Sequence, residues 1–134
     1  MNRAVLADSG PLYAAVDPND AHHRRAQKEL KRLTRESRYV IVTYPILLET
    51  HALVLRRVGP KAASAWLDEI LKSGTPVSPL IEDYLTGVMT LSALPDQPIT
   101  LFDATLAAMG TRLKMEIWTY DHHFDVMRSE VWRP

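Results

Sequence analysis

Residues 3–11, Arg-Ala-Val-Leu-Ala-Asp-Ser-Gly-Pro, constrain the fold more than any other stretch of the chain. Ala4 to Ala7 is an apolar run too short for a helix and bounded by Gly10-Pro11, which predicts a buried strand. The run stops abruptly at Asp8 and Ser9. In an α/β sheet, strands deliver functional groups from their carboxyl ends into the crevice outside the sheet. Asp8 therefore stands where a site would be, and later acids are candidates to meet it.

The rest of the chain alternates. Tyr39 to Thr43 is β-branched and aromatic and predicts a second strand. Glu116 to Thr119 predicts another, Thr75 to Val77 a short weak one, and the region of Val131 a last one. Between them fall helical segments. A short turn covers Pro11 to Val16, and an amphipathic helix runs from Asp20 to Glu36 with Ala26, Leu30 and Leu33 on one face. Pro45 suits the first turn of a helix that reaches Val58 and ends at Gly59. Pro60 opens the next, with Ala63, Trp66, Leu67, Ile70 and Leu71 as its apolar side and Ser73-Gly74 as its stop. Ile81, Leu85, Val88 and Leu91 recur at helical spacing and predict a helix over Ile81 to Leu94. After a loop at Pro95 to Pro98, Leu101 to Leu113 is helical, and a brief helix surrounds His123 to Met127. Strands separated by helices predict an α/β fold, a small central parallel sheet flanked by helices on both faces. At 134 residues the expectation is one domain spanning 1–134.

Bulk charge excludes one class of function. Lys and Arg balance Asp and Glu at 16 each, so any polyanion must be met by local basic surface. Such a surface exists on the helix after Asp20, where Arg24, Lys28, Lys31 and Arg35 stack on the side opposite Ala26 and Leu33. It reads either as a solvated face or as a phosphate-tracking stripe for RNA. Cysteine is absent, which excludes disulfides and thiolate metal sites and fits a reducing compartment. Asp8 interrupts the N-terminal apolar run well short of a signal-peptide core, and nothing approaches a membrane span. A soluble, cytoplasmic protein is the expectation.

Four acids occupy unusual surroundings. Glu49 lies in the apolar run Ile46-Leu47-Leu48-Glu49-Thr50-His51-Ala52-Leu53, with no basic residue where an intrahelical ion pair would form. Asp103 sits in Leu-Phe-Asp-Ala-Thr-Leu-Ala-Ala-Met, and the Thr100–Asp103 spacing of a capping box offers it a purely structural role. Asp121 follows the Ile117-Trp118-Thr119 strand as Asp8 follows the first, and it also suits an N-cap. Taken together, acids past two strand ends and on two helices entering the same sheet edge would put up to four carboxylates in one pocket. Such a cluster repels itself unless protons or cations neutralise it. Oxygen-only ligands select hard ions, Mg²⁺ or Mn²⁺. Ser9 and Thr119 offer hydroxyls beside two of the acids to orient a bound water.

These segments resemble the PIN-domain family, and specifically the VapC-type toxins of bacterial toxin–antitoxin pairs, over essentially the whole chain. Val-Leu-Ala-Asp-Ser-Gly-Pro-Leu-Tyr-Ala-Ala-Val-Asp-Pro-Asn-Asp-Ala-His-His resembles the family's first strand, first acid and the Asp-and-His stretch after it. Pro-Ile-Leu-Leu-Glu-Thr-His-Ala-Leu-Val-Leu-Arg-Arg resembles the helix of the second acid. Leu-Phe-Asp-Ala-Thr-Leu-Ala-Ala-Met resembles that of the third, and Ile-Trp-Thr-Tyr-Asp-His-His-Phe the final Thr-x-Asp segment. The resemblance implies a metal-dependent endoribonuclease with Asp8, Glu49, Asp103 and Asp121 as ligands of Mg²⁺ or Mn²⁺. A metal-activated water would leave a 5′-phosphate and a 3′-hydroxyl. It also implies a homodimer and a cognate antitoxin that covers the acidic site. Leu12, Leu30 and Leu33 could line the antitoxin's groove, although periodic apolar residues ordinarily face the core.

Three rival readings remain. His22-His23, His51 and His122-His123 could suggest zinc, but no pair has the spacing of a His-Glu-x-x-His site; His51 or His122 could still assist near the acids. A phosphoacceptor domain would need a paired acid early in the chain and a late lysine after the last strand. Here Asp8 is followed by Ser-Gly, and Lys114 precedes the strand. The third is a non-catalytic nucleic-acid or protein-binding module with a vestigial acidic site.

Overall fold

The computed structural model describes residues 3–134. Its first strand, β1 (Ala4–Ala7), is buried along its whole length and forms the centre of a parallel sheet ordered β2-β1-β3. β2 (Tyr39–Ile41) pairs on one side, Leu6 opposite Ile41. β3 (Glu116–Trp118) pairs on the other, Ala7 opposite Trp118. Both neighbours are reached through helices, as a parallel ladder requires. The weak strands expected at Thr75 to Val77 and near Val131 shrink to single parallel bridges, Thr43 with Val77 and Ile117 with Val131.

Each helix follows from local chemistry. Asp8 is the N-cap of α1 (Ser9–Val16), which starts two residues before the expected Pro11. α2 (His23–Arg35) begins three residues later than expected, because Asp20 accepts from the His22 N–H and holds the preceding residues in a turn. α3 (Tyr44–Arg57) carries Pro45 in its first turn, and Gly59 links it to α4 (Pro60–Ser73). Gly59 does so at φ 126°, a conformation L side chains seldom adopt. α6 (Leu101–Leu113) is capped by the Thr100 hydroxyl, and its run from Ala104 to Gly110 is wholly buried, making it the helix around which the core closes. The short α7 (His123–Val126) inserts Phe124. Trp118, Phe124, Leu6, Leu33, Ile46, Leu106 and Met109 are the largest fully buried side chains.

Two apolar sets do not go where periodicity suggests. Leu71 is half exposed rather than part of the packed side of α4. More consequentially, α5 (Ile81–Ala93) turns its apolar stripe outward: Ile81, Leu85, Val88 and Met89 are exposed, while Asp83 and Gly87 are buried. Gly87 leaves no room for a side chain, since a Cβ would meet Leu101 Cδ1 and Thr105 N at 3.2 Å. Asp83 is gripped by Arg112 of α6 through two bonds of 2.8 and 2.7 Å. α5 thus docks on α6 by an ion pair and a close backbone approach, leaving its hydrophobic side unpartnered. Among the described residues no helix is long and apolar enough to cross a membrane.

Candidate active site

β1 and β3 end side by side, and their ladder continues one residue further through the Asp8 N–H to the Trp118 carbonyl, 2.9 Å. This brings the segment after β3 against the first acid. The Thr119 hydroxyl donates to Asp8 Oδ2 at 2.8 Å and accepts from the Asp121 N–H at 2.9 Å. One buried hydroxyl therefore ties two of the acids together. Ser9 holds the other oxygen of Asp8 through its backbone N–H, 2.8 Å away; it was the hydroxyls of both residues that the sequence offered for orienting water.

Asp8 is only 5% exposed. Burial is the main cause that pushes its carboxyl up, to about 7, with the negative charge of Asp103 next and that of Glu49 adding to it. The bonds from Thr119 and Ser9 pull against that rise. Asp103, half-buried at the start of α6, is raised as well, first by burial and then by Asp121 and Glu49, while Thr100 pulls it back. Asp8 thus feels Asp103 and Glu49, and Asp103 feels Asp121 and Glu49, which links the four acids singled out in the sequence through Asp103. Thr100 also caps α6 by accepting from the Asp103 N–H at 3.2 Å, so the capping role and the cluster coexist.

The donor set fits a hard divalent ion. The charges that raise Asp8 and Asp103 are carboxylates, and the groups that pull them down are neutral hydrogen-bond donors from Thr119, Ser9 and Thr100. Opposite ligands of an octahedral Mg²⁺ stand about 4 Å apart. Among the described residues, the group of three ligating side chains whose donor atoms lie within 4.8 Å of one another is Asp121, His122 and His123. Asp8, Glu49 and Asp103 belong to no such group among the described residues.

The histidine beside this cluster is not one the sequence favoured. His123 donates its N–H to Asp121 Oδ1 at 2.9 Å, and its Nδ1 lies 2.8 Å from the same oxygen. His122 points largely to solvent, its Nδ1 at 3.9 Å. Glu29, on the same helix as the basic stripe, is a further buried acid that the four sequence motifs do not include. At 100° per residue it falls within about 60° of Ala26 and Leu33 on the packed side, which was the available signal. It is 6% exposed and accepts from the Trp118 indole and the Tyr120 hydroxyl, at 3.0 and 2.7 Å. Burial and this carboxylate push the Tyr120 hydroxyl well above its ordinary range, so it remains a donor.

The basic stripe is exposed, and Arg24, Lys28, Lys31 and Arg35 take no part in the ion pairs of α2, which join Arg25 to Glu29 and Arg32 to Glu36. A groove of about 1160 Å³ along α2 is lined by Lys28, Lys31 and Arg35 and by none of the four acids. Leu12 and Leu33 are core residues and line no groove, whereas Leu30 packs against the core and also lines this groove.

No protein-family model and no curated protein sequence matches the chain. Solved structures do. VapC20 of Mycobacterium tuberculosis, described as a sarcin-ricin loop cleaving toxin, superposes with a TM-score of 0.82 at 21% identity, over 97% of this chain and 99% of its own. The fold is the PIN fold of VapC-type toxins. VapBC2 from Rickettsia felis, solved bound to a DNA fragment from their promoter, matches with a TM-score of 0.72 at 12% identity, over 97% of this chain and 99% of that one. FitAcB from Neisseria gonorrhoeae matches at the same TM-score and 17% identity, over 97% of both chains. In this PIN fold the four acids cluster at the carboxyl end of the sheet, where open α/β sheets place their sites.

Proposed function

We propose that the protein is a metal-dependent endoribonuclease of the VapC toxin type. The observation that supports this most is the shared field of Asp8, Glu49, Asp103 and Asp121 at the end of β1. These four side chains would hold Mg²⁺ or Mn²⁺. When bound there, the ion supplies an acidified water and offsets the charge of the scissile phosphate. Asp8 would hold the ion as a carboxylate, its two oxygens kept in place by the bonds from Thr119 and Ser9. Water attacks the phosphate in line, leaving a 5′-phosphate and a 3′-hydroxyl, and no side chain becomes covalently attached. The α2 groove with Lys28, Lys31 and Arg35 tracks the RNA backbone.

Two protein partners complete the reading. A cognate antitoxin holds the enzyme inactive in the cytoplasm by covering the acids. A second copy of the chain covers the outward stripe of α5, where Ile81, Leu85 and Met89 are exposed and Tyr84 lines an apolar groove with Leu48 and Phe102. An exposed apolar patch of this kind marks an interaction site, and a self-complementary helix stripe suits a two-fold pair.

Incubating the purified protein with total RNA in Mg²⁺, with a chelator arm, tests the activity. New ends with 5′-phosphates that appear only with the metal are expected. RNA left intact at every divalent concentration, or cleavage that survives chelation, contradicts the reading.

A further inference from the structure

A buried carboxylate outside the acidic cluster grips the segment that carries Thr119 and Asp121. Glu29 Oε1 accepts from both Trp118 Nε1 and the Tyr120 hydroxyl, residues 89 and 91 positions away in sequence. Its Oε2 accepts from Arg25 Nε at 3.3 Å. Trp118 and Tyr120 flank Thr119. In extended chain alternate residues face opposite ways, so α2 pins Trp118 and Tyr120 on one side while Thr119 reaches Asp8 on the other. The Tyr120 ring is held on its face as well: the Arg25 guanidinium lies 4.1 Å from its centroid, and the His22 ring 5.1 Å.

We propose that Glu29 is a positioning residue, fixing the rotation of Trp118–Asp121 through Tyr120 so that Thr119 meets Asp8 and Asp121 turns toward the other acids. This rests on the nuclease reading for its consequence, though its geometry stands apart from it. Satisfying one indole does not require a charge, and an apolar contact in place of a buried carboxylate is often no less stable. A single oxygen that receives donors from residues on either side of Thr119 does something an apolar contact cannot: it makes the bonding depend on how the segment is rotated.

Three variants test this: Tyr120→Phe, Glu29→Ala and the conservative Glu29→Gln, which keeps an acceptor oxygen for Trp118 and Tyr120. Partners one layer out from metal ligands typically contribute 10–100-fold to affinity or activity. Tyr120→Phe and Glu29→Ala are expected to lose about tenfold in kcat on RNA with KM within about twofold, and a comparable factor in Mn²⁺ affinity by calorimetry. Glu29→Gln is expected to recover most of both. Hydrogen exchange supplies a readout independent of RNA: the Asp121 amide, bonded to Thr119, should exchange faster in the first two variants while the β3 amides stay protected. If the wild type leaves RNA intact yet these exchange and Mn²⁺ effects appear, the positioning role stands and the nuclease reading falls. Folded variants with unchanged Mn²⁺ affinity and unchanged Asp121 protection would overturn the role, whatever their melting temperature.

Discussion

Replacing Asp8 with Asn should stabilise the metal-free protein while abolishing cleavage, and the size of the gain follows from the site. The Asp8 carboxyl is pushed up to about 7 in the folded chain, chiefly by burial and then by Asp103, against 3.8 ordinarily. Between those two values the native state carries one proton more than the unfolded state. Stability therefore falls as pH rises through that window, by about 1.4 kcal/mol per pH unit and about 4 kcal/mol in all. Asn carries no charge and escapes this loss. Its amide nitrogen cannot accept, so one of the bonds from Thr119 and Ser9 is weakened, at about 1 kcal/mol. A net gain of about 3 kcal/mol at pH 7.5, roughly 10 °C in Tm, is expected. Urea unfolding in chelator from pH 4 to 8 measures it: the two proteins should converge near pH 4 and diverge to a plateau above pH 7. Saturating Mg²⁺ should then stabilise the wild type by about 2.7 kcal/mol at a hundred times its Kd and leave the variant unmoved. A variant no more stable than wild type at pH 7.5, or an advantage that is flat with pH, would refute the reasoning.

Other consequences are equally concrete. Arg112→Ala strands the buried Asp83 and should cost about 3 kcal/mol in urea unfolding at pH 7; because Arg112 holds the Asp83 carboxyl below its usual range, the wild type's advantage is present at neutral pH and lost as pH falls below about 4. Lys28→Glu with Lys31→Glu should weaken RNA binding and flatten its salt dependence by about two phosphate contacts, whereas an unchanged slope in a filter-binding titration would leave α2 a solvated face. Leu85→Glu with Met89→Glu should convert a dimer to a monomer in analytical ultracentrifugation, and an unaltered dimer would place the interface elsewhere.

How much of this was legible depends on which force fixes each feature. β1 and α6 fall within the limits read from sequence because their boundaries are chemical: Asp8 and Gly10-Pro11 end one, and the Thr100 cap opens the other. Asp8 and Asp121 stand out in the sequence because each follows an apolar strand, and Glu49 and Asp103 because each is an acid without a cationic neighbour in an apolar run. Periodicity located α5 but could not say which side it buries. The stripe of Ile81, Leu85 and Met89 looks like core until Asp83 and Gly87 claim the packed face through Arg112 and Thr105, partners far along the chain. Glu29 was hidden for the same reason, since its donors at Trp118 and Tyr120 become neighbours only once α2 lies against the end of β3. Likewise, nothing local distinguishes His123 from His122; the turn into α7 decides which ring meets Asp121.

The central claim is that acids separated along the chain share one hard divalent ion. Calorimetric titration with Mn²⁺ at pH 7.5 tests it most directly, on the wild type and on Asp8→Asn and Asp103→Asn separately. The account predicts saturable binding by the wild type and its loss in each variant, although one acid comes from β1 and the other from α6. Binding that survives both substitutions undiminished, or a wild type that takes up no Mn²⁺, would contradict it.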